Sequence, residues 1–231
     1  MENRTICVIL PTLNEEPTIG KVIDEIPRAA LTDEGYRVEV VVVDGNSSDR
    51  TVEIAQSRGV RVIIEPRRGK GRAMRTGFDA VNADYVFMLD ADYTYPATYI
   101  PEMLKLLQKY PVVVGSRLRG KREAGSMRRF NTIGNYLLTG LANILYFTWI
   151  SDLCTGYWGF RGEVIRSINL TSSGFQLEAE LLTQLRKKGY KIGEIPVEYR
   201  CREGKAKLSG LKDGLGIARL LIVRRFQSAD R

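Results

Sequence analysis

The sequence predicts an α/β fold with a mainly parallel central sheet and helices on both faces. Two observations carry that expectation. Short apolar runs at 5–10, 36–44, 60–65, 85–90 and 112–117 alternate with segments whose apolar residues recur at helical spacing. Solid apolar runs of this kind belong to strands covered on both faces, and their alternation with helices signals βαβ units. The second observation is where the runs stop: two of them end on Asp44 and Asp90, with Asp92 just beyond. In open α/β sheets the carboxyl ends of the strands form the ligand edge.

Each element has its own reason. "TICVIL" (5–10) runs into Pro11 and reads as a buried strand. "TIGKVIDEI" (18–26) places Ile19, Val22, Ile23 and Ile26 on one helical face, with Thr18 in the N-cap position. "YRVEVVVVD" (36–44) is a β-branched strand, and "SDRTVEIAQSRG" a helix closed by Gly59. "VRVIIE" (60–65) is a third strand, "GRAMRTGFDAVNA" (71–83) a helix, and "YVFMLD" (85–90) a fourth strand. "ATYIPEMLKLLQK" (97–109) is a helix and "VVVGSR" (112–117) a fifth strand. Beyond 117 the rhythm changes. A basic loop leads to a long, mostly apolar helix (129–150), a Gly- and aromatic-rich turn or strand (154–162), and a helix (175–189). A strand follows (190–200), made an edge by Pro196, and then a basic, apolar helix (211–226).

Composition narrows the chemistry. The 231 residues, 44% hydrophobic, suit one large domain with a real core. No secretory leader or membrane span is expected, since the most apolar stretch, Ile133–Ile150, is broken by Gly134, Asn135, Thr139, Gly140, Asn143 and Thr148. Cys7, Cys154 and Cys201 lack metal-site spacing and read as reduced thiols of a cytoplasmic protein. There is no histidine, which removes His-activated nucleophiles and most zinc chemistry. The net charge of +8 is concentrated in 117–129 and 200–225 and leaves the remainder net negative. Such placed charge suits a phosphorylated substrate or an anionic membrane surface. A nucleic-acid-binding protein would show steep salt-dependent affinity, but the strand-end acids make a poor face for that partner.

The chemistry-bearing stretch is "VFMLDADYTYP" (86–96). Two carboxylates at i and i+2 after a buried strand can converge on one hard cation, Mg²⁺ or Mn²⁺, which prefers oxygen ligands and bridges substrate phosphates. "PTLNEE" (11–16) and "VVDGNSSD" (42–49) put polar groups on the same edge, and "RRGKGRA" (67–73) offers backbone N–H groups and Lys70 to a phosphate. No Walker A and no GxGxxG motif is present.

Taken in order, "PTLNEE", "VVDGNSSDRT", "RGKGRAMRTGF", "FMLDADYTYP", "VVGSR" and "GFQLEAELL" resemble glycosyltransferase family 2, in the branch that loads a sugar onto a polyprenyl phosphate, the dolichol-phosphate mannose synthases and their relatives. The resemblance covers essentially the whole chain. It implies a GT-A (Rossmann-like) fold with C-terminal interfacial helices, as one domain over 1–231. Residues 1–117 would form the nucleotide-sugar half and 118–231 the acceptor half. It further implies that Pro11, Asn14 and Glu15 line the nucleotide pocket, Asp44 reads the base, and Lys70 stands beside the donor. Asp90, Ala91 and Asp92 would form the DXD triplet, with Asp90, Asp92 and Thr94 about the metal. Arg117, with Arg128 or Arg129, would clamp the acceptor phosphate, and Arg202 and Lys207 would lie near the diphosphate. Two positions depart from the family pattern: Thr94 replaces a usual Gln, and Ala206 a usual Ser.

The implied reaction is inverting hexose transfer from a nucleoside-diphosphate sugar (GDP-mannose, UDP-glucose or UDP-GlcNAc) to a polyprenyl (dolichyl) phosphate. A phosphate acceptor is already ionised near neutral pH, whereas a sugar hydroxyl needs a base. Asp152, which abuts the turn at 154–160, and Glu178 are the base candidates; the other reading of Glu178 is a solvated helix face. The alternative acceptor is a soluble molecule. For a lipid acceptor, residues 129–150 and 211–226 suit helices lying in a membrane interface on the cytoplasmic side. Leu215, Ile217, Leu220, Leu221, Ile222 and Val223 would supply apolar contact, and Lys212, Arg219, Arg224 and Arg225 charge. The competing expectation is that this apolar set packs on helix 129–150.

Overall fold

A computed structural model describes residues 4–203 and 210–227, so Lys207 and Ala206 lie outside the described residues. The β-branched runs form strands as expected: β1 (Thr5–Thr12), β2 (Arg37–Asp44), β3 (Arg61–Ile64), β4 (Tyr85–Met88) and β5 (Val112–Ser116). The turn or strand at 154–162 contains a strand, β6 (Trp158–Arg161), and β7 (Ile192–Pro196) follows. Together they make a seven-stranded sheet of order β3-β2-β1-β4-β6-β5-β7. All pairings are parallel except those of β6, which is antiparallel to β4 and to β5. Pro196 closes β7 at the sheet edge, where a missing N–H costs no ladder bond.

The helices are α1 (Ile19–Glu25), α2 (Arg28–Asp33), α3 (Thr51–Ser57), α4 (Lys70–Asp79) and α5 (Ile100–Leu107), the last entered through a 3₁₀ turn at 97–99. Then come α6 (Arg129–Tyr146), α7 (Gly162–Ser167), α8 (Leu177–Lys187) and α9 (Gly210–Phe226). The sequence pattern does not predict two of them, α2 and α7, which at six residues each are too short to display a helical period. The helix expected over 129–150 stops at Tyr146 because Phe147 turns left-handed, φ 49°, and the Thr148 N–H returns to the Asn143 carbonyl. Thr18 stands at the N-cap of α1 without capping it; its hydroxyl is engaged elsewhere.

Apolar side chains fill both faces of the sheet. Ile6, Val8, Leu10, Val40, Val42 and Phe87 point to the layer of α1, α3 and α5. Cys7, Ile9, Val41, Val43, Val86 and Met88 point to the layer of α4, α8 and α9. The proposed halves, 1–117 and 118–231, share this sheet, since β6 inserts between β4 and β5.

α6 and α9 lie side by side and parallel. Gly210 abuts Asn131 and Phe130 at one end, and the Tyr146 hydroxyl donates to the Leu221 carbonyl (2.7 Å) at the other. α6 is apolar on both sides: its inner face buries Ala142 and Tyr146 and packs Leu138, Leu141 and Leu145 against the core. Its polar Asn135 and Thr139 are buried, while Phe130, Ile133, Leu137 and Ile144 are exposed, Leu137 by 70% and Ile144 by 73%. Trp149, just past its end, is 94% exposed. α9 buries Ile217 and Leu221 and exposes Leu215, Ile222, Val223 and Phe226, so its apolar set divides between packing on the domain and facing outward.

Candidate active site

The carboxyl ends of β1, β2 and β4 converge on Asp90 and Asp92. Three non-glycine residues with left-handed backbone sit on this edge, Asn14 (φ 51°), Asn46 (φ 66°) and Tyr93 (φ 62°). Such conformations persist only where surrounding contacts over-determine them. Tyr93 is held by the Arg200 guanidinium stacked 4.4 Å over its ring.

Asp90 reaches the Lys70 ammonium (2.6 Å), and Lys70 also meets Glu178 from α8 (2.7 Å). Burial opposes charge on Lys70, but Asp90 and Glu178 together outweigh it and hold the ammonium protonated, above the usual lysine range. Burial raises the Glu178 carboxyl despite Lys70. Glu178 is therefore a buried partner of Lys70 and not a solvated helix face. The other side of Asp90 lies on Gly156, where a Cβ would stand 2.0 Å from Oδ2. Only glycine leaves that carboxylate its place.

Asp92 Oδ1 accepts from the Thr94 amide (3.1 Å) and hydroxyl (2.6 Å), and Oδ2 pairs with Arg202 (3.0 Å). Arg202 also meets Glu15 (3.3 Å). Thr94 is buried, with its hydroxyl turned onto Asp92. The buried Ala91 is anchored from behind, its carbonyl accepting the Thr18 hydroxyl (2.8 Å).

The residues expected to line the nucleotide pocket form a second cluster. Asp44 is fully buried and accepts from the Ser47 amide (2.7 Å), the Ser47 hydroxyl (2.5 Å) and Thr12 (3.0 Å), so its carboxylate shapes the turn after β2. Asn14 ties the neighbouring loop to it, its Oδ1 accepting the Ser48 amide (2.8 Å) and its amide donating to Ser47 (2.7 Å). The Glu15 amide donates to Thr51 (2.8 Å), and Pro11 lies in β1 opposite Val43.

Arg117 is locked. Its Nε and Nη2 donate to Asp152 Oδ2 and Oδ1, each at 2.7 Å, and its own amide donates to Oδ2 (3.0 Å). Asn135 of α6 donates to Oδ1 (2.6 Å), and the Tyr199 ring lies 5.2 Å from the guanidinium. Burial works against charge on Asp152, but Arg117 and Asn135 hold its carboxyl below the usual range. Asp152 is 0% exposed with both oxygens occupied. Arg117 and Asn135 take two bonds on each oxygen, an arrangement that suits a positioning carboxylate better than the expected base. Arg128 and Arg129 stand exposed at the start of α6, where Arg129 and Arg122 line a groove of about 570 Å³ with Met127 and Ile133.

Thr18, Asn135, Gly156 and Tyr199 were missed by reading along the chain. Each acts on a group at least 17 residues away, and only "CTGYWGF" hints at a close backbone approach. Cys7, Cys154 and Cys201 are free thiols, and burial pushes Cys154 up to about 12.

Asp90 and Asp92 with Lys70 and Arg202 thus make a compact charged cluster on the carboxyl edge of the sheet. Residues 7–168 match the glycosyl transferase family 2 model, and the chain belongs to that family of glycosyltransferases. It is 38% identical to the dolichyl-phosphate hexose transferase of Haloferax volcanii, over 94% of this chain and 92% of the relative. It is 29% identical to the dolichol-phosphate mannosyltransferase of Pyrococcus furiosus, over 89% of this chain and 59% of that one. The structure superposes with TM-score 0.73 and 25% identity on glucosyl-3-phosphoglycerate synthase from Mycobacterium tuberculosis, solved with Mn²⁺, uridine diphosphate and glucosyl-3-phosphoglycerate, over 96% of this chain and 78% of that one. The seven-stranded sheet with helices on both faces is thus a GT-A fold.

Proposed function

We propose that this glycosyltransferase moves a hexose, with inversion, from a nucleoside-diphosphate sugar to a polyprenyl phosphate at a membrane surface. The observation that carries the reading is the outer face of α6, where Phe130, Ile133, Leu137 and Ile144 are left exposed beside a phosphate-type site. Monomeric soluble domains rarely leave such a patch uncovered, and one rimmed by charge marks a lipid or partner surface. The name of the Haloferax relative supports the lipid acceptor.

The residues fit a hard divalent cation. Among the described residues no group of three or more acids, cysteines or histidines could hold a metal ion, so Asp90 and Asp92 would need diphosphate oxygens to complete a shell. That is how Mg²⁺ and Mn²⁺ are commonly held. When bound, the ion supplies charge neutralisation for the departing nucleoside diphosphate. Thr94 orients Asp92, and Thr18 and Gly156 keep the triplet and Asp90 in place. Lys70 and Arg202, released from their carboxylates, stabilise charge on the leaving group. Asp44 and Asn14 hold the loops that cover the base. Arg117, oriented by Asp152, meets the acceptor phosphate, which enters along the Arg122–Arg129 groove. The phosphate attacks as an anion, so no base is required.

No helix among the described residues is long and apolar enough to cross a membrane; the exposed apolar residues of α6 and α9 would supply the surface contact. A soluble acceptor is the second reading, favoured by the likeness to the Mycobacterium tuberculosis synthase. A donor panel of GDP-mannose, UDP-glucose and UDP-GlcNAc with Mn²⁺, run with a short polyprenyl phosphate and with phosphoglyceric acid, separates the two. Lipid-dependent turnover is expected; turnover only with the soluble acid overturns the lipid reading.

A further inference from the structure

We propose that Glu180 and Arg224 form a positioning unit for Lys70, through which the seat of α9 sets donor affinity. This rests on the reading that Lys70 meets the donor diphosphate. Glu180, two residues on from Glu178 in α8 and so turned to another side of the helix, is fully buried. Its carboxylate accepts the Thr171 amide (3.0 Å), the Thr171 hydroxyl (2.7 Å) and the Ser172 amide (2.7 Å). Arg224 of α9 reaches both Glu180 (2.9 Å) and the Thr171 hydroxyl (2.7 Å). Arg224 therefore points into the protein, which corrects the expectation that it faces lipid; a buried carboxylate draws it inward.

The loop fixed in this way is the floor under the start of α4. A Cβ on Gly69 would lie 2.1 Å from the Ser173 carbonyl, and one on Gly71 2.4 Å from the Ser172 carbonyl. The Arg75 guanidinium also donates to the Thr171 carbonyl (3.3 Å). The two glycines flanking Lys70 thus press directly on the backbone that Glu180 organises, and any shift of 171–173 moves the ammonium. α8 acts twice, with Glu178 on Lys70 itself and Glu180 on the loop beneath it. Contiguous hydrogen-bond networks with a rigid element at each end carry such coupling.

The test is calorimetry of uridine and guanosine diphosphate binding with Mn²⁺ present, beside thermal unfolding of each variant. Lys70→Met should weaken binding. Arg224→Met and Gly71→Ala, acting from opposite sides of the loop, should each weaken it roughly tenfold, the usual scale of such couplings, in protein that is still folded. Arg224→Lys, which keeps the charge, should restore most of the affinity. A purely structural pair would lower the unfolding midpoint and leave the affinity of the folded protein intact. If Lys70→Met weakens binding while Gly71→Ala and Arg224→Met do not, the relay is wrong and the role of Lys70 stands. If Lys70→Met has no effect, both fall. Should Arg224→Met fail to fold, Gly71→Ala decides alone.

Discussion

Asp152→Asn separates a positioning carboxylate from a catalytic base. In the wild type Asp152 receives four hydrogen bonds, three from Arg117 and one from Asn135. An amide presents one oxygen and one NH₂, so in either orientation Arg117 faces a donor: its Nε and backbone amide if the NH₂ replaces Oδ2, its Nη2 together with Asn135 if it replaces Oδ1. The larger loss is the counter-charge: Arg117 is nearly buried, and removing one partner of a buried ion pair costs about 3–5 kcal/mol. For a chain of this size each kcal/mol lowers Tm by about 2–4 °C, so a drop of about 6–20 °C is expected. Thermal unfolding by circular dichroism measures it. Kinetics at a temperature where the variant is folded should then give a raised acceptor KM with nucleotide affinity unchanged. A variant with wild-type Tm and abolished kcat would refute this reasoning and restore Asp152 as a base.

The remaining expectations follow from the same contacts. Asp92→Ala should lower turnover by at least about 100-fold, the scale of losing a major electrostatic stabiliser, and full activity of that variant in EDTA would remove the metal from the reaction. Gly156→Ala drives a methyl into Asp90 and should weaken Mn²⁺ binding in the nucleotide complex at an overpacking cost of about 1–3 kcal/mol; unchanged metal affinity would show that Asp90 relaxes freely. Because the folded Asp152 carboxyl lies below its unfolded value, its contribution is present above about pH 4 and is lost as pH falls through the folded pKa. Acid unfolding should therefore be steeper in the wild type than in Asp152→Asn, and parallel curves would contradict the pairing. The protein should float with anionic liposomes at low salt. Lys212, Arg219 and Arg225 are exposed on α9, each worth about 1 kcal/mol near such a surface. Leu137→Glu/Ile144→Glu should abolish flotation, and if the wild type stays in the pellet, the soluble acceptor gains.

Reading along the chain locates all five principal strands, the carboxyl edge on which the strand-end acids stand, and the family. Those features are local: continuous β-branched runs declare strands, and a carboxylate straight after a strand stands on the carboxyl edge wherever that strand sits in the sheet. The placement of Asp90 and Asp92 on that edge, with Lys70 beside Asp90, follows for the same reason. The antiparallel β6 was legible only as a turn or strand, since its place between β4 and β5 depends on partners far along the chain. Helical periodicity reveals that a helix has two faces, not which one turns inward. α6 settles that by burying Asn135 and Thr139, which have Asp152 and the Leu153 amide to bond, and by leaving Leu137 and Ile144 outside. Arg224 and Arg225 are neighbours in sequence, yet one joins Glu180 in the interior and the other lies over Phe147. Pairings such as Arg117 with Asp152 and Asp90 against Gly156 arise only when separate strand ends meet, because a hydrogen bond depends on distance in space and leaves no period in the sequence.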